Sequence, residues 1–224
     1  GELRRYAHIG TGNYHARTAR GYTDFGLLTA DVELAADVQR MFQQLTTMGR
    51  SGRLNKLVQS PFTLHETILR HIDTEIENAT EGNPAGRAAK TNQALQPDAG
   101  KAQHRGICSL KPGIEGVSEN ITVRSIIGRF LEHTRIFLFE NGGEARIYLS
   151  SADWMGRNFF SRVETCFPIE AAENRLAVIE HGLEPYLRDN VQAWVLQADG
   201  SYVRTSSGED RHCAQEELLE LLTR

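Results

Sequence analysis

Residues 130–158, FLEHTRIFLFENGGEARIYLSSADWMGRN, constrain the fold more than any other stretch of the chain. The first run alternates, with His133, Arg135, Phe137 and Phe139 on one face and Thr134, Ile136 and Leu138 on the other, which is the period of a β-strand. Asn141, Gly142 and Gly143 accept positive φ at low cost and read as a hairpin turn into a second strand. A turn centred on Gly142 sets His133 opposite Ser151, so an imidazole, two serine hydroxyls and Asp153 are expected to converge at the open end of a stiff apolar hairpin. The plainer reading leaves those polar ends facing water.

Around that hairpin the chain reads as alternating strands and helices. A short strand is expected over residues 3–9, followed by the tight loop Gly10, Thr11, Gly12, Asn13, whose backbone N–H groups can face an anion. A helix is expected over 27–45 with Asp31 as its N-cap, and an amphipathic helix over 63–79, after the break at Ser60-Pro61. Residues 81–103 are poor in large apolar side chains and read as a loop. Further helices are expected over 173–187 and 213–222, with a hairpin around Asp199-Gly200 between them.

Composition narrows the function classes. The 224 residues carry a net charge of −4 and a pI near 6.1, which excludes a generally basic surface able to hold a polyanion by long-range field. A phosphate-rich ligand must then be gripped by a local cluster. Cys108, Cys166 and Cys213 are odd in number and widely spaced, pointing to a reducing compartment. His15, His65, His71, His104, His181 and His212 lack ligand spacing and are expected in water, with no protein-only metal site.

A faint repeat runs through the chain. GTGNYHAR lies over SSADWMGR, setting Thr11 on Ser151, Gly12 on Ala152, Asn13 on Asp153, Tyr14 on Trp154 and Arg17 on Arg157. In the second copy a histidine-bearing strand precedes the turn. Its counterpart in the first copy would lie before Gly1.

RRYAHIGTGNYHARTARGYTDFGLLTAD (4–31), RGICSLKPGIEGVSENI (105–121), RFLEHTRIFLFENGG (129–143) and YLSSADWMGRN (148–158) closely resemble the C-terminal catalytic half of bacterial polyphosphate kinases. The resemblance implies an α/β fold of two phospholipase D-like domains facing each other across a tunnel. Residues 1–56 would be the remainder of the first, shortened at its N-terminus, and residues 57–224 the second. It also implies reversible transfer of the terminal phosphate of ATP, accompanied by Mg2+, to inorganic polyphosphate through a phosphohistidine. ATP or ADP and polyphosphate are then the partners, without nucleic acid, in a cytoplasmic homo-oligomer whose association with membranes is left open.

Carried over by position, Tyr22 in GYTD matches a nucleotide-contacting tyrosine, Arg105 in RGIC a phosphate-contacting arginine, and His133 in LEHTR an essential histidine near the transferred phosphate. Those types suit those tasks: guanidinium offers a planar fork to phosphoryl oxygens, and imidazole exchanges protons near neutral pH. His8, Thr11, Asn13, Arg135, Ser151 and Asp153 would support the same pocket, as would Arg157 unless it is solvated.

Two departures temper the match. The family's phosphohistidine lies in a His-x-Lys strand ahead of the segment matching residues 3–8, so the sequence as it stands is not expected to autophosphorylate. Between 95 and 105 the family carries a helix and a strand, whereas QPDAGKAQH is too short and polar for both. The rival readings are a phospholipase D-like phosphodiesterase or nuclease, disfavoured by Arg135 standing where that chemistry uses lysine, and a non-catalytic binding module.

Overall fold

The computed structural model describes residues 4–47, 52–91, 101–103, 111–206, 208 and 210–223. In its first part, β1 (Ala7–Gly10), β2 (Tyr22–Thr23) and β3 (Gly26–Thr29) precede α1 (Val32–Thr47). Then come β4 (Val58–Ser60), α2 (Leu64–Glu81), β5 (Arg87–Lys90), β6 (Lys101–Gln103), β7 (Thr122–Ile126) and β8 (Leu131–Glu132). The remainder holds β9 (Arg135–Phe139), β10 (Arg146–Ser150), α3 (Gly156–Phe160), β11 (Glu164–Pro168), α4 (Ala172–Gly182), α5 (Glu184–Arg188), β12 (Ala193–Leu196), β13 (Tyr202–Arg204) and α6 (Ala214–Leu222).

The main sheet has nine strands among the described residues, in the order β13-β12-β7-β6-β5-β9-β10-β11-β4. Its centre is covered on both sides. Alternate residues of β9 point to opposite faces, so Phe137 and Phe139 meet Leu64, Ile68 and Ile72 of α2, while Ile136 meets Leu34 and Met41 of α1 and Val178 of α4. That two-sided burial explains why β9 reads as an almost continuous apolar run. Outside the sheet, β1 and β3 form an antiparallel pair that packs with α1 on the second face through Ile9 and Leu27.

Several expectations need correction. The helix expected over 27–45 starts at Val32, because residues 26–29 form β3; Asp31 caps it as anticipated, its Oδ1 accepting the Leu34 N–H at 2.8 Å. Residues 81–103 are not one loop. Arg87–Lys90, with small Ala88 and Ala89 at its centre, runs through the middle of the sheet as β5, and Lys101–Gln103 lies parallel between β5 and β7, so the short polar link does supply a strand. His71 is buried on α2, stacked 4.7 Å from the Phe139 ring and hydrogen-bonded to the Tyr148 hydroxyl at 2.9 Å.

The central hairpin is one residue out of the expected register. Its connection is the six residues 140–145, which contain a 3-10 turn, Asn141–Gly143, whose three residues all have positive φ (49°, 69° and 99°), so its centre falls between Gly142 and Gly143 and not on Gly142. The ladder accordingly pairs Ser150 with Arg135, and Ser151 does not face His133. A slip of one position changes which side chain meets which. Among the described residues no helix is long and apolar enough to cross a membrane.

The internal repeat is architectural. Adding 140 to the pair His8↔Leu28 of β1 and β3 gives Tyr148↔Pro168 of β10 and β11, and adding it to Val32, the start of α1, gives Ala172, the start of α4.

Candidate active site

Each half of the repeat builds the same hydroxyl clasp where its first strand ends. In the first, the Thr11 N–H donates to Phe25 O at 2.9 Å, the Phe25 N–H donates to Thr11 Oγ1 at 3.0 Å, and that hydroxyl donates to Asp24 Oδ1 at 2.7 Å. In the second, the Ser151 N–H donates to Thr165 O at 2.9 Å, the Thr165 N–H donates to Ser151 Oγ at 3.0 Å, and Ser151 donates to Glu164 Oε2 at 2.6 Å. Both carboxylates are thus fixed by a hydroxyl. Ser151 serves Glu164 on the β11 side instead of His133, and the Thr11 N–H is already engaged, which takes it from the anion-binding loop expected there.

The halves meet at His133. Strands β2 and β8 pair in parallel, Tyr22 with Leu131 and Thr23 with Glu132, and the chain then delivers His133 beside the first half. His133 Nδ1 lies 2.9 Å from Asp24 Oδ1, and the Tyr22 and His133 ring centroids are 4.9 Å apart. A carboxylate only accepts, so the contact selects the tautomer protonated at Nδ1 and leaves the Nε2 lone pair open to chemistry. The His133 side chain is 13% exposed, enough to be reached but mostly shielded.

Arg135 ties the two turns together behind that ring. It grips Asp153 with two nitrogens, Nε to Oδ1 at 2.9 Å and Nη2 to Oδ2 at 3.1 Å, and donates from Nη1 to Thr11 O at 3.2 Å. Nη1 also lies 3.3 and 3.1 Å from Nδ1 and Nε2 of His133. Near equality to both nitrogens places the guanidinium against the face of the imidazole, not in line with either lone pair. Thr91 adds a hydroxyl to Asp153 Oδ1 at 3.1 Å, and both residues are buried.

A cleft of about 180 Å3 opens beside this cluster, lined by Gly12, Asn13, Tyr14, Tyr22, Asp24 and Phe25. His8 sits on the exposed side of β1 with Nε2 2.9 Å from the Tyr14 hydroxyl. That pair leans on Gly26, where a Cβ would come within 2.6 Å of the Tyr14 hydroxyl and 2.9 Å of His8 Nε2. A larger cleft, about 990 Å3 between α2 and α4, lies away from these groups. Among the described residues no group of three or more His, Cys, Asp or Glu is placed to hold a metal ion.

Thus Tyr22, His133, Thr11, Arg135 and Asp153 are brought together, Asn13 and His8 border them, and Ser151 and the exposed Arg157 stand apart. Arg105 lies outside the described residues. Sequence reasoning missed Asp24, although it sits two residues after Tyr22 in GYTD. It also missed Glu132, whose buried carboxylate pairs with Lys90 at 2.9 Å. Burial pushes the Lys90 ammonium down from its usual range while Glu132 holds it up.

Two family models match the chain, Polyphosphate kinase C-terminal domain 1 over residues 1–51 and Polyphosphate kinase C-terminal domain 2 over residues 101–215. A polyphosphate kinase of Neisseria gonorrhoeae is 49% identical across 99% of this chain and 35% of its own length. One from Pseudomonas aeruginosa is 52% identical across 99% of this chain and 34% of its own. Both alignments run over 237 positions, more than the 224 residues here, so some residues of those relatives have no counterpart in this chain. The crystal structure of polyphosphate kinase from Porphyromonas gingivalis superposes with a TM-score of 0.91 at 31% identity, over 97% of this chain and 36% of that one. The chain spans about a third of the length of the relatives it matches, and by both domain matches and by fold it belongs to the polyphosphate kinase family.

Proposed function

We propose that this chain provides the nucleotide-facing half of a catalytic centre that transfers the terminal phosphate of ATP reversibly to inorganic polyphosphate. The observation that carries the reading is the orientation of His133, held by Asp24 through Nδ1 beside the Tyr22 ring. In that arrangement Nε2 is the working atom, able to hydrogen-bond the γ-phosphate or to pass a proton to the leaving oxygen. Tyr22 offers the nucleotide a flat face or a hydroxyl. Arg105 supplies a guanidinium fork to the phosphoryl oxygens, and Mg2+ enters as the companion of the ATP phosphates. None of the histidines here is assigned as the phospho-acceptor. The division of the chain into residues 1–56 and 57–224, as parts of two phospholipase D-like domains, is supported by the repeated strand register and by β4 being the first element to join the nine-stranded sheet.

A phosphodiesterase reading needs a cation two residues after the histidine turned toward phosphate, whereas Arg135 grips Asp153 and Thr11. Calorimetric titration with MgATP, MgADP and polyphosphate tests the proposal. Millimolar-range binding is expected for the chain as it stands, weakened roughly fivefold, or about 1 kcal/mol, by His133→Ala or Tyr22→Ala. Absence of any heat at millimolar ligand would contradict it.

A further inference from the structure

Glu132, the residue before His133, is the hub of a buried polar cluster. Its Oε2 accepts from Lys90 Nζ at 2.9 Å and from Thr23 Oγ1 at 2.9 Å, and its Oε1 accepts from Gln215 Nε2 at 2.5 Å. Lys90 Nζ also lies 3.5 Å from the centre of the Tyr186 ring. Glu132, Lys90 and Gln215 are all at most 5% exposed. A buried charge pair survives only when its remaining donors and acceptors are satisfied, and here β2, α5 and α6 supply the contacts.

Gln215 does more than donate to Glu132. Its carboxamide takes the Phe130 N–H on Oε1 and gives Nε2 to Phe130 O, both at 2.9 Å. That reciprocal pair imitates a strand neighbour, so β8 has the backbone of β2 on one side and a side-chain amide on the other. Thr23 closes the frame, since the His133 N–H reaches its Oγ1 at 3.3 Å. Ala214, one residue earlier, is anchored by its N–H to Asp189 Oδ2 at 2.8 Å, which fixes the start of α6.

We propose that Gln215 and Glu132 are positioning residues through which the C-terminal helix α6 sets the place of the His133 ring. The two-residue pairing of β2 with β8 is too short to hold a strand in register without side support. The clamp supplies that support within one residue of the histidine. Its meaning for phosphate transfer rests on the function proposed above; the clamp itself does not.

Histidine ring 15N spectra of the unliganded chain separate the two questions, because they report the His133 tautomer with no nucleotide present. A single Nδ1-protonated pattern is expected for the unaltered chain. Gln215→Leu and Thr23→Val should each replace it with a mixture of tautomers. Leu218→Ala, which thins the packing of α6 against Ile126 and Tyr186 but removes no hydrogen bond of Gln215, Glu132 or Thr23, should lower the melting temperature and leave the His133 signals in place. An unchanged His133 pattern in folded Gln215→Leu or in Thr23→Val overturns the proposal, as does a Leu218→Ala spectrum that shifts like that of Gln215→Leu. Loss of nucleotide binding in the unaltered chain would count against the proposed function and leave the clamp standing.

Discussion

A Cβ on Gly12 would lie 2.0 to 2.4 Å from the carboxylate atoms of Asp24, so the carboxylate that orients His133 occupies space only glycine leaves open. The obstacle is the far end of a side chain, which can swing away without unfolding the loop. Gly12→Ala is therefore expected to keep the fold while breaking the contact between Asp24 and His133 and weakening MgATP binding roughly tenfold, about 1.4 kcal/mol. Circular dichroism with a titration checks both parts, and unchanged affinity would refute the role given to Asp24. Tyr22 and His133 were legible because long motifs surround them. Asp24 was not, since its partner lies 109 positions away in sequence and only the pairing of β2 with β8 brings them together.

Elements differ in how much of themselves the sequence displays. Helices α1, α2 and α6 carry apolar residues at helical spacing and can be read directly. Strands β5 and β6, Arg87–Lys90 and Lys101–Gln103, have no β-branched or aromatic residue and exist because the neighbouring strands pair with them; β2 and β8 are too short to show a period. On α2 the helical pattern alone does not reveal that His71 lies against the sheet. There burial lowers its pKa to about 4 from 6.5, with the positive charges of Arg146 and Arg70 adding to the effect. The folded state holds the ring neutral while the unfolded chain takes up a proton below pH 6.5, so this contribution is complete above pH 6.5 and is lost progressively as pH falls to about 4. The loss should be on the order of 2 kcal/mol. Urea unfolding of the unaltered chain and His71→Gln at pH 7, 5 and 4 should show a shallower acid decline in the variant; parallel declines would contradict the assignment.

At the scale of the whole molecule, the chain contains two copies of a strand, strand, helix unit related by 140 positions, with the same register and the same hydroxyl clasp in each. The faint sequence repeat showed the turns and not the carboxylates, because Asp24 and Glu164 lie outside the eight matched positions. What the second copy adds is β9, and with it Arg135, which reaches the turns of both copies and lies against the His133 ring. The central claim is that a tyrosine of one copy and a histidine of the other share one site. Nuclear Overhauser contacts between ring protons measure it directly, with His71 and Phe139, 4.7 Å apart at their centroids, as an internal standard. Cross-peaks between Tyr22 and His133 of comparable strength are predicted from their 4.9 Å separation; a spectrum with the His71–Phe139 peaks and none between Tyr22 and His133 would contradict the account.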